Sequence, residues 1–290
     1  MNHLIYITKS DGTRQLFEEE KLINSLRRVG AAPEVIDDIV ERVGGEIGDG
    51  MSTADIYGRA FDLLKKHSLP IAIKYSIRRA LIELGPDGFP FERFVARIFE
   101  TWGYETSTDQ IVRGGCVEHE IDVVAWKGEE LAMVEAKFHN EFTLRSDLKV
   151  ALYVWARFQD LMTAKFNYGG VQRRLTDPWL ITNTKFTDRA ITYGSCHLLK
   201  MVGWNYPDKP GPGTPGNLHQ IIEKNGLHPV TCLTSITRDQ KKQLIAAGVL
   251  VCKDLANNLE AFKAARIPDT DVARILNEAK EIIDTARLLE

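Results

Sequence analysis

Residues 130–138, ELAMVEAKF, place Glu135 and Lys137 two positions apart in an otherwise apolar run. Side chains at i and i+2 of a strand share a face. A carboxylate and an ammonium would therefore sit side by side where each is costly to desolvate. Upstream, EIDVV carries Asp122. Residues 118–126 and 130–138 flank a Lys127-Gly128 turn and read as neighbouring strands of a hairpin, which brings Asp122 and Glu135 within reach of one cation. Mg2+ (or Mn2+) suits such a pair, being a hard ion that takes one or two carboxylates, water and a phosphate. It would neutralise a scissile phosphate and activate water, with Lys137 orienting that water or stabilising charge on the phosphate oxygens. Spacing alone leaves a plainer alternative open: Glu135 and Lys137 form a strand-face ion pair and Asp122 is a turn acceptor.

The elements that would hold these residues follow from hydrophobic periodicity. The segment up to about Gly85 reads as a short hairpin around Asp11-Gly12 followed by three helices. The first carries Leu22, Ile23, Leu26 and Val29 and closes at Gly30; the second is capped by Ser52 or Thr53; the third starts near Pro70. GPDGFP (85–90) is a breaker cluster and a domain boundary. Beyond it come an amphipathic helix (FERFVARIFETWGYE), the two strands above, a helix (DLKVALYVWARFQDLM), a strand (PWLITNT), a helix (DRAITYGSCHLLK) and a last strand around Met201 to Trp204. Strands alternating with helices indicate a mixed sheet in an α/β layer. PDKPGPGTPGN (207–217) reads as a loop or linker, and 228–290 as helical. The fold class is thus multidomain α/β, with a mostly helical first domain, a central mixed sheet and a helical end.

Composition narrows the function classes. The chain has 290 residues, 44% apolar and 27% charged, which is ordinary for a globular protein with a real core. No run approaches the roughly 20 apolar residues of a membrane span, and the start lacks a signal-peptide pattern. The four cysteines, Cys116, Cys196, Cys232 and Cys252, have no zinc spacing and read as free thiols of a cytoplasmic protein. A net charge of −3 shows no global basic surplus, so any nucleic-acid contact must be local.

The order GFPFERFVARIFETWGYE, EIDVV, VEAKF resembles the PD-(D/E)xK nuclease superfamily, in particular its Mrr-like restriction endonuclease branch. That family has a helix carrying a Glu, its Asp at the end of the next strand, and ExK on the one after. The resemblance matches Glu92 to the helix Glu, Asp122 to the Asp, and Glu135 and Lys137 to ExK. It adds the backbone carbonyl of Ala136 as a metal ligand beside Asp122 and Glu135, and it implies a domain over 86–210. The family often has glycines just before its Asp, whereas Gly114-Gly115 stand further upstream here. His119 and His139 flank the site, each either a participant in chemistry or an ordinary polar residue at a sheet edge.

ITKSDGTRQLFEEEKLINSL, with the later TADIY, resembles the start of an ATP-cone, a nucleotide-sensing domain, over residues 1–85. Lys9, Asp11, Gly12 and Lys21-Leu22 match that pattern, and Ser10 stands where the family has Arg. The resemblance implies that Lys9 and Lys21 meet the phosphates of ATP or dATP, that Ile7, Phe17 and Tyr57 wall the base, and that Thr53 hydrogen-bonds it. No GxxxxGK[ST] loop is present, so binding without turnover is expected. A homo-oligomer is expected from the same analogy. The end of the chain, within 211–290, resembles helix-hairpin-helix domains at "AGV" and "ARIPDTDV", with Lys241, Lys242, Lys253 and Lys263 available to DNA phosphates; a packing module is the alternative. Together the resemblances imply a Mg2+-dependent DNA endonuclease regulated by ATP or dATP. The competing reading is a nucleotide-responsive DNA-binding or regulatory protein built on an inactive nuclease scaffold.

Overall fold

The structure is a computed structural model that describes residues 4–9, 12–85, 87–211 and 215–287. Ser10 and Asp11 of the expected hairpin turn, Pro86 of the breaker cluster and residues 212–214 of the expected loop lie outside the described residues. The chain forms two compact units, Met1–Arg79 and Ala80–Glu290.

In the first unit, β1 (Tyr6–Thr8) and β2 (Arg14–Leu16) pair antiparallel, and four helices follow: α1 (Glu19–Arg28), α2 (Pro33–Glu46), α3 (Thr53–His67) and α4 (Leu69–Ile82), the last running past Arg79. Three helices are expected from the sequence; α2 is the addition. Its signals are Pro33 in the first turn, where a missing N–H costs nothing, and a buried stripe of Ile36, Ile39 and Val43. Leu22, Leu26, Ile39, Val43, Ala60 and Leu64 make the core. Ser52 is the cap of α3, its hydroxyl accepting from the Asp55 N–H at 3.1 Å.

The second unit opens with α5 (Phe89–Thr101), whose Phe91, Phe94, Val95, Ile98 and Phe99 are buried. Next come β3 (Glu105–Arg113), β4 (Glu118–Lys127), β5 (Glu130–Lys137), β6 (Arg145–Ser146), α6 (Leu148–Leu161), β7 (Lys165–Tyr168), β8 (Val171–Arg174), β9 (Asp177–Thr182), β10 (Lys185–Phe186), α7 (Asp188–Cys196) and β11 (Lys200–Val202). The main sheet has the order β11-β9-β5-β4-β3, with β3, β4 and β5 antiparallel and β5, β9 and β11 parallel. This is the expected mixed sheet, with one strand more between α5 and the Asp122 strand than the family pattern implies. β3 hides in the sequence because ETSTDQIVR offers only Ile111 and Val112 as apolar residues, and Ile111 is 74% exposed on this edge strand.

The glycines upstream of Asp122 have a local cause. The Asp160 carboxylate of α6 accepts from the N–H groups of Cys116 (2.7 Å) and Val117 (3.3 Å) and meets the His119 ring at 2.7 Å. A Cβ on Gly114 would run into that carboxylate and into the Val117 carbonyl. Gly114→Ala is therefore expected to cost about 1–3 kcal/mol in folding stability, measured by urea unfolding; an unchanged midpoint would show that the loop gives way freely.

The chain ends in α8 (Leu218–Asn225), α9 (Arg238–Ala246), α10 (Leu259–Ala264) and α11 (Asp269–Arg287). These belong to the same compact unit as the sheet, tied to α5 by Arg97 Nη2 donating to Asp254 Oδ1 at 2.5 Å. Lys241 donates to the Thr231 carbonyl at 2.6 Å and Lys263 to Glu260 at 2.9 Å, so two of the four lysines considered for phosphate contact are engaged within the chain. Cys232 and Cys252 are buried free thiols, and Cys116 and Cys196 are exposed. Among the described residues no helix is long and apolar enough to cross a membrane.

Candidate active site

The β4–β5 register pairs Val123 with Val134, so the next opposed positions are Asp122 and Glu135. The Asp122 Oδ2 accepts from the Ala136 N–H at 2.7 Å, which fixes the carboxylate against the strand bearing Glu135 and Lys137. On the other side, Thr108 pairs with Val123 and Gln110 with Ile121, which leaves Asp109 across from Asp122. Asp109 adopts φ 56°, a left-handed conformation that short polar side chains tolerate best. The irregularity also upsets strict alternation in β4: Ile121 and Val124, rather than Ile121 and Val123, join the same core cluster. Glu92 enters from the first turn of α5, where Gly88 leaves it room; an added Cβ there would lie 3.2 Å from Glu92 Oε1.

The ion pair considered between Glu135 and Lys137 is not made. Glu135 Oε2 instead accepts from Arg157 Nη1 of α6 at 2.8 Å, with both side chains largely buried. Lys137 has no hydrogen bond or ion pair among the described residues. Its strand neighbour in β9 is Thr182, which is fully buried.

Negative charge is crowded here. Burial, then repulsion from Glu135 and Glu92, lifts the Asp122 carboxyl to about 7 against the opposing pull of the Ala136 N–H. Burial, then repulsion from Asp109, Glu120 and Glu135, lifts Glu92 to about 7 as well. Two carboxyls poised near neutrality are equipped for proton transfer. The donor set of Asp122, Glu135 and the Ala136 carbonyl is all hard oxygen, and its excess charge fits a divalent cation such as Mg2+. Among the described residues no three His, Cys, Asp or Glu side chains converge as a metal cage. One or two carboxylates completed by water and phosphate is the usual Mg2+ arrangement.

Both histidines are held in place by other groups. The His139 N–H donates to Asn183 Oδ1 and its carbonyl accepts from Asn183 Nδ2, both at 2.8 Å, while its ring meets Ser146 Oγ at 3.0 Å. His119 belongs to the Asp160 cluster. Asp109, Glu120 and Arg157 are additions to the sequence reading of the site.

In the first unit, a cavity of about 190 Å³ is lined by Ile7, Phe17, Lys21, Thr53 and Tyr57, five of the six residues matched to the nucleotide sensor. Lys9 is not in its lining; its backbone closes the β1–β2 turn through its N–H to the Thr13 carbonyl at 2.8 Å. Tyr75, absent from the sequence reading, also lines the cavity and stacks on Tyr57 at 4.9 Å between centroids, tilted by 8°. Lys21 pairs with Glu18 at 2.8 Å on an exposed surface.

Three family models match the chain: the ATP cone domain over residues 5–82, the restriction endonuclease (Mrr_cat) over 86–202, and the AF1548-like C-terminal family over 228–283. An uncharacterized protein of Archaeoglobus fulgidus is 37% identical over 190 residues, 65% of this chain and 99% of that protein. The crystal structure of a protein of unknown function, AF1548, is 35% identical, with a TM-score of 0.54 over 69% of this chain and all of that one. The MspJI restriction endonuclease in complex with a 27-mer oligonucleotide matches at 16% identity and a TM-score of 0.27, over 59% of this chain and 38% of that one.

Proposed function

We propose that this chain, which belongs to the family of that Archaeoglobus fulgidus protein and joins an ATP-cone domain to an Mrr-type restriction endonuclease domain, is a Mg2+- or Mn2+-dependent endonuclease of DNA under nucleotide control. The observation that carries the reading is that Asp122 is hydrogen-bonded to the Ala136 N–H between Glu135 and Lys137, while Arg157 takes the ion pair with Glu135 and Lys137 has no partner among the described residues.

Asp122, Glu135 and the Ala136 carbonyl would hold the cation, with Asp122 aligned by the Ala136 N–H. When bound, the metal offsets phosphate charge and makes water more acidic. Lys137 donates to the attacking water or to a non-bridging phosphate oxygen, where negative charge builds. Glu92, lifted toward neutrality, is matched to accept a proton at physiological pH. Supercoiled plasmid should be nicked and linearised in Mg2+ or Mn2+ and remain intact in EDTA. A matched RNA duplex in the same assay separates DNA from RNA; cleavage of RNA alone would overturn the substrate assignment.

The Tyr57–Tyr75 pair and Lys21 make the first-unit cavity a site for ATP or dATP, with the base against the rings. Binding there would shift an oligomeric equilibrium to the extent that it favours one assembly. Tyr57→Ala is expected to weaken ATP binding by about tenfold or more, since base–aromatic stacking contributes about 1–3 kcal/mol. Calorimetry on wild type and variant checks this; equal affinities would remove the base from that wall.

A further inference from the structure

Arg157 is a charged group outside the catalytic set of Glu92, Asp122, Glu135 and Lys137. It lies one helical turn beyond Tyr153 on α6, and its guanidinium carbon sits 4.4 Å from the Tyr153 ring centroid. That contact orients the guanidinium by cation–π attraction. Its Nη1 reaches Glu135 Oε2 at 2.8 Å, and the two side chains are 10% and 17% exposed. Its Nε is buried with no hydrogen-bond partner among the described residues, so the group is not part of a saturated structural network. It also faces a narrow cavity of about 20 Å³ lined by Ile121, Met133, Val154 and Phe158, an apolar setting in which a lone charge would be costly. The carboxylates Glu92, Asp109, Glu120, Asp122 and Glu135 influence one another electrostatically, and among the described residues Arg157 pairs with Glu135.

We infer that Arg157 is a positioning residue that acts as the resident counter-cation of the site, holding Glu135 in line until a divalent cation shares that carboxylate. The inference rests on the proposed role of Glu135 as a metal-holding group. It has a consequence that a simple structural ion pair lacks: Arg157 and the metal compete for the same charge. Removing the guanidinium should weaken the metal-free protein and at the same time tighten cation binding.

Thermal melting of the full chain, titrated with Mn2+ alone, tests this. For wild type, Mn2+ should raise the melting temperature with a defined midpoint concentration. For R157M, the metal-free melting temperature should fall and the Mn2+ midpoint should drop by about tenfold, because a neighbouring positive charge is gone. R157K, which keeps the charge, should stay within about twofold of the wild-type midpoint. In E135Q, adding R157M should no longer lower the metal-free melting temperature. Where R157M does not fold, R157Q gives the same readout. A midpoint unchanged or raised in the neutral variants, while wild type responds to Mn2+, overturns the role of Arg157. Absence of any Mn2+ effect on wild type would instead overturn the metal-site reading on which it rests.

Discussion

Lys137→Ala should lower single-turnover DNA cleavage by about 10²–10³-fold, the scale on which one preorganised donor to developing charge contributes. The Lys137 amine has no hydrogen bond or ion pair among the described residues. Glu135 is held by Arg157 and Asp122 by the Ala136 N–H, so neither carboxylate depends on Lys137 for its position. Removing the amine should therefore leave the fold close to wild type and the cation affinity no weaker than wild type while the chemical step slows. Single-turnover rates beside a Mn2+ melting titration separate the two effects. A variant that loses metal binding in proportion to rate would make Lys137 a support of the cation site; a variant with unchanged rate would remove it from the reaction.

Asp122→Asn should abolish cleavage and yet make the metal-free protein more stable at pH 8, by an amount on the order of 2 kcal/mol. The sign follows from proton linkage. The folded carboxyl titrates at about 7, above its unfolded range near 4, because burial and Glu135 disfavour its charge. Below pH 4 both states hold the proton. Between about 4 and 7 the folded state retains a proton that the unfolded state has released, so raising the pH through this window erodes stability. Above 7 the folded protein carries the ionised carboxylate at full cost. Glu92 adds in the same direction. In EDTA, wild type should thus gain stability on acidification from pH 8 to 5, and the variant should gain less. The Asn oxygen can still accept from the Ala136 N–H, so the strand contact survives. Urea unfolding across this pH range is the check; a variant less stable than wild type at pH 8 would mean that the site does not store repulsion.

This opposition between stability and chemistry explains why the ExK stretch looks awkward in an apolar strand. Glu135 and Lys137 were legible because strand periodicity is local: positions 122, 135 and 137 need only two adjacent strands and a tight turn to converge. The amphipathic α5, with Glu92 in its first turn, was legible for the same reason. The partner of Glu135 was not. Arg157 is 22 residues away, on a helix whose pattern says only that position 157 is polar. Asp109 is hidden along with its strand, because β3 is an edge with few apolar residues and a left-handed kink opposite Asp122. The roles of the histidines were equally hidden, since His139 is set by Asn183, 44 positions later, and His119 by Asp160, 41 positions later. In the first unit, the α2 stripe of Ile36, Ile39 and Val43 is a local signal present in the sequence, whereas the place of Tyr75 depends on α4 laying it against Tyr57.

These carboxylates and Lys137 are proposed to act together as a metal-dependent nuclease site. The most direct test is cleavage of supercoiled plasmid by the full chain in Mg2+, Mn2+ or EDTA, with and without ATP and dATP, beside Asp122→Asn. Cleavage by wild type that needs the divalent cation and disappears in the variant is the expected result. Cleavage that persists in EDTA or in Asp122→Asn, or none by wild type under any metal and nucleotide, would contradict it.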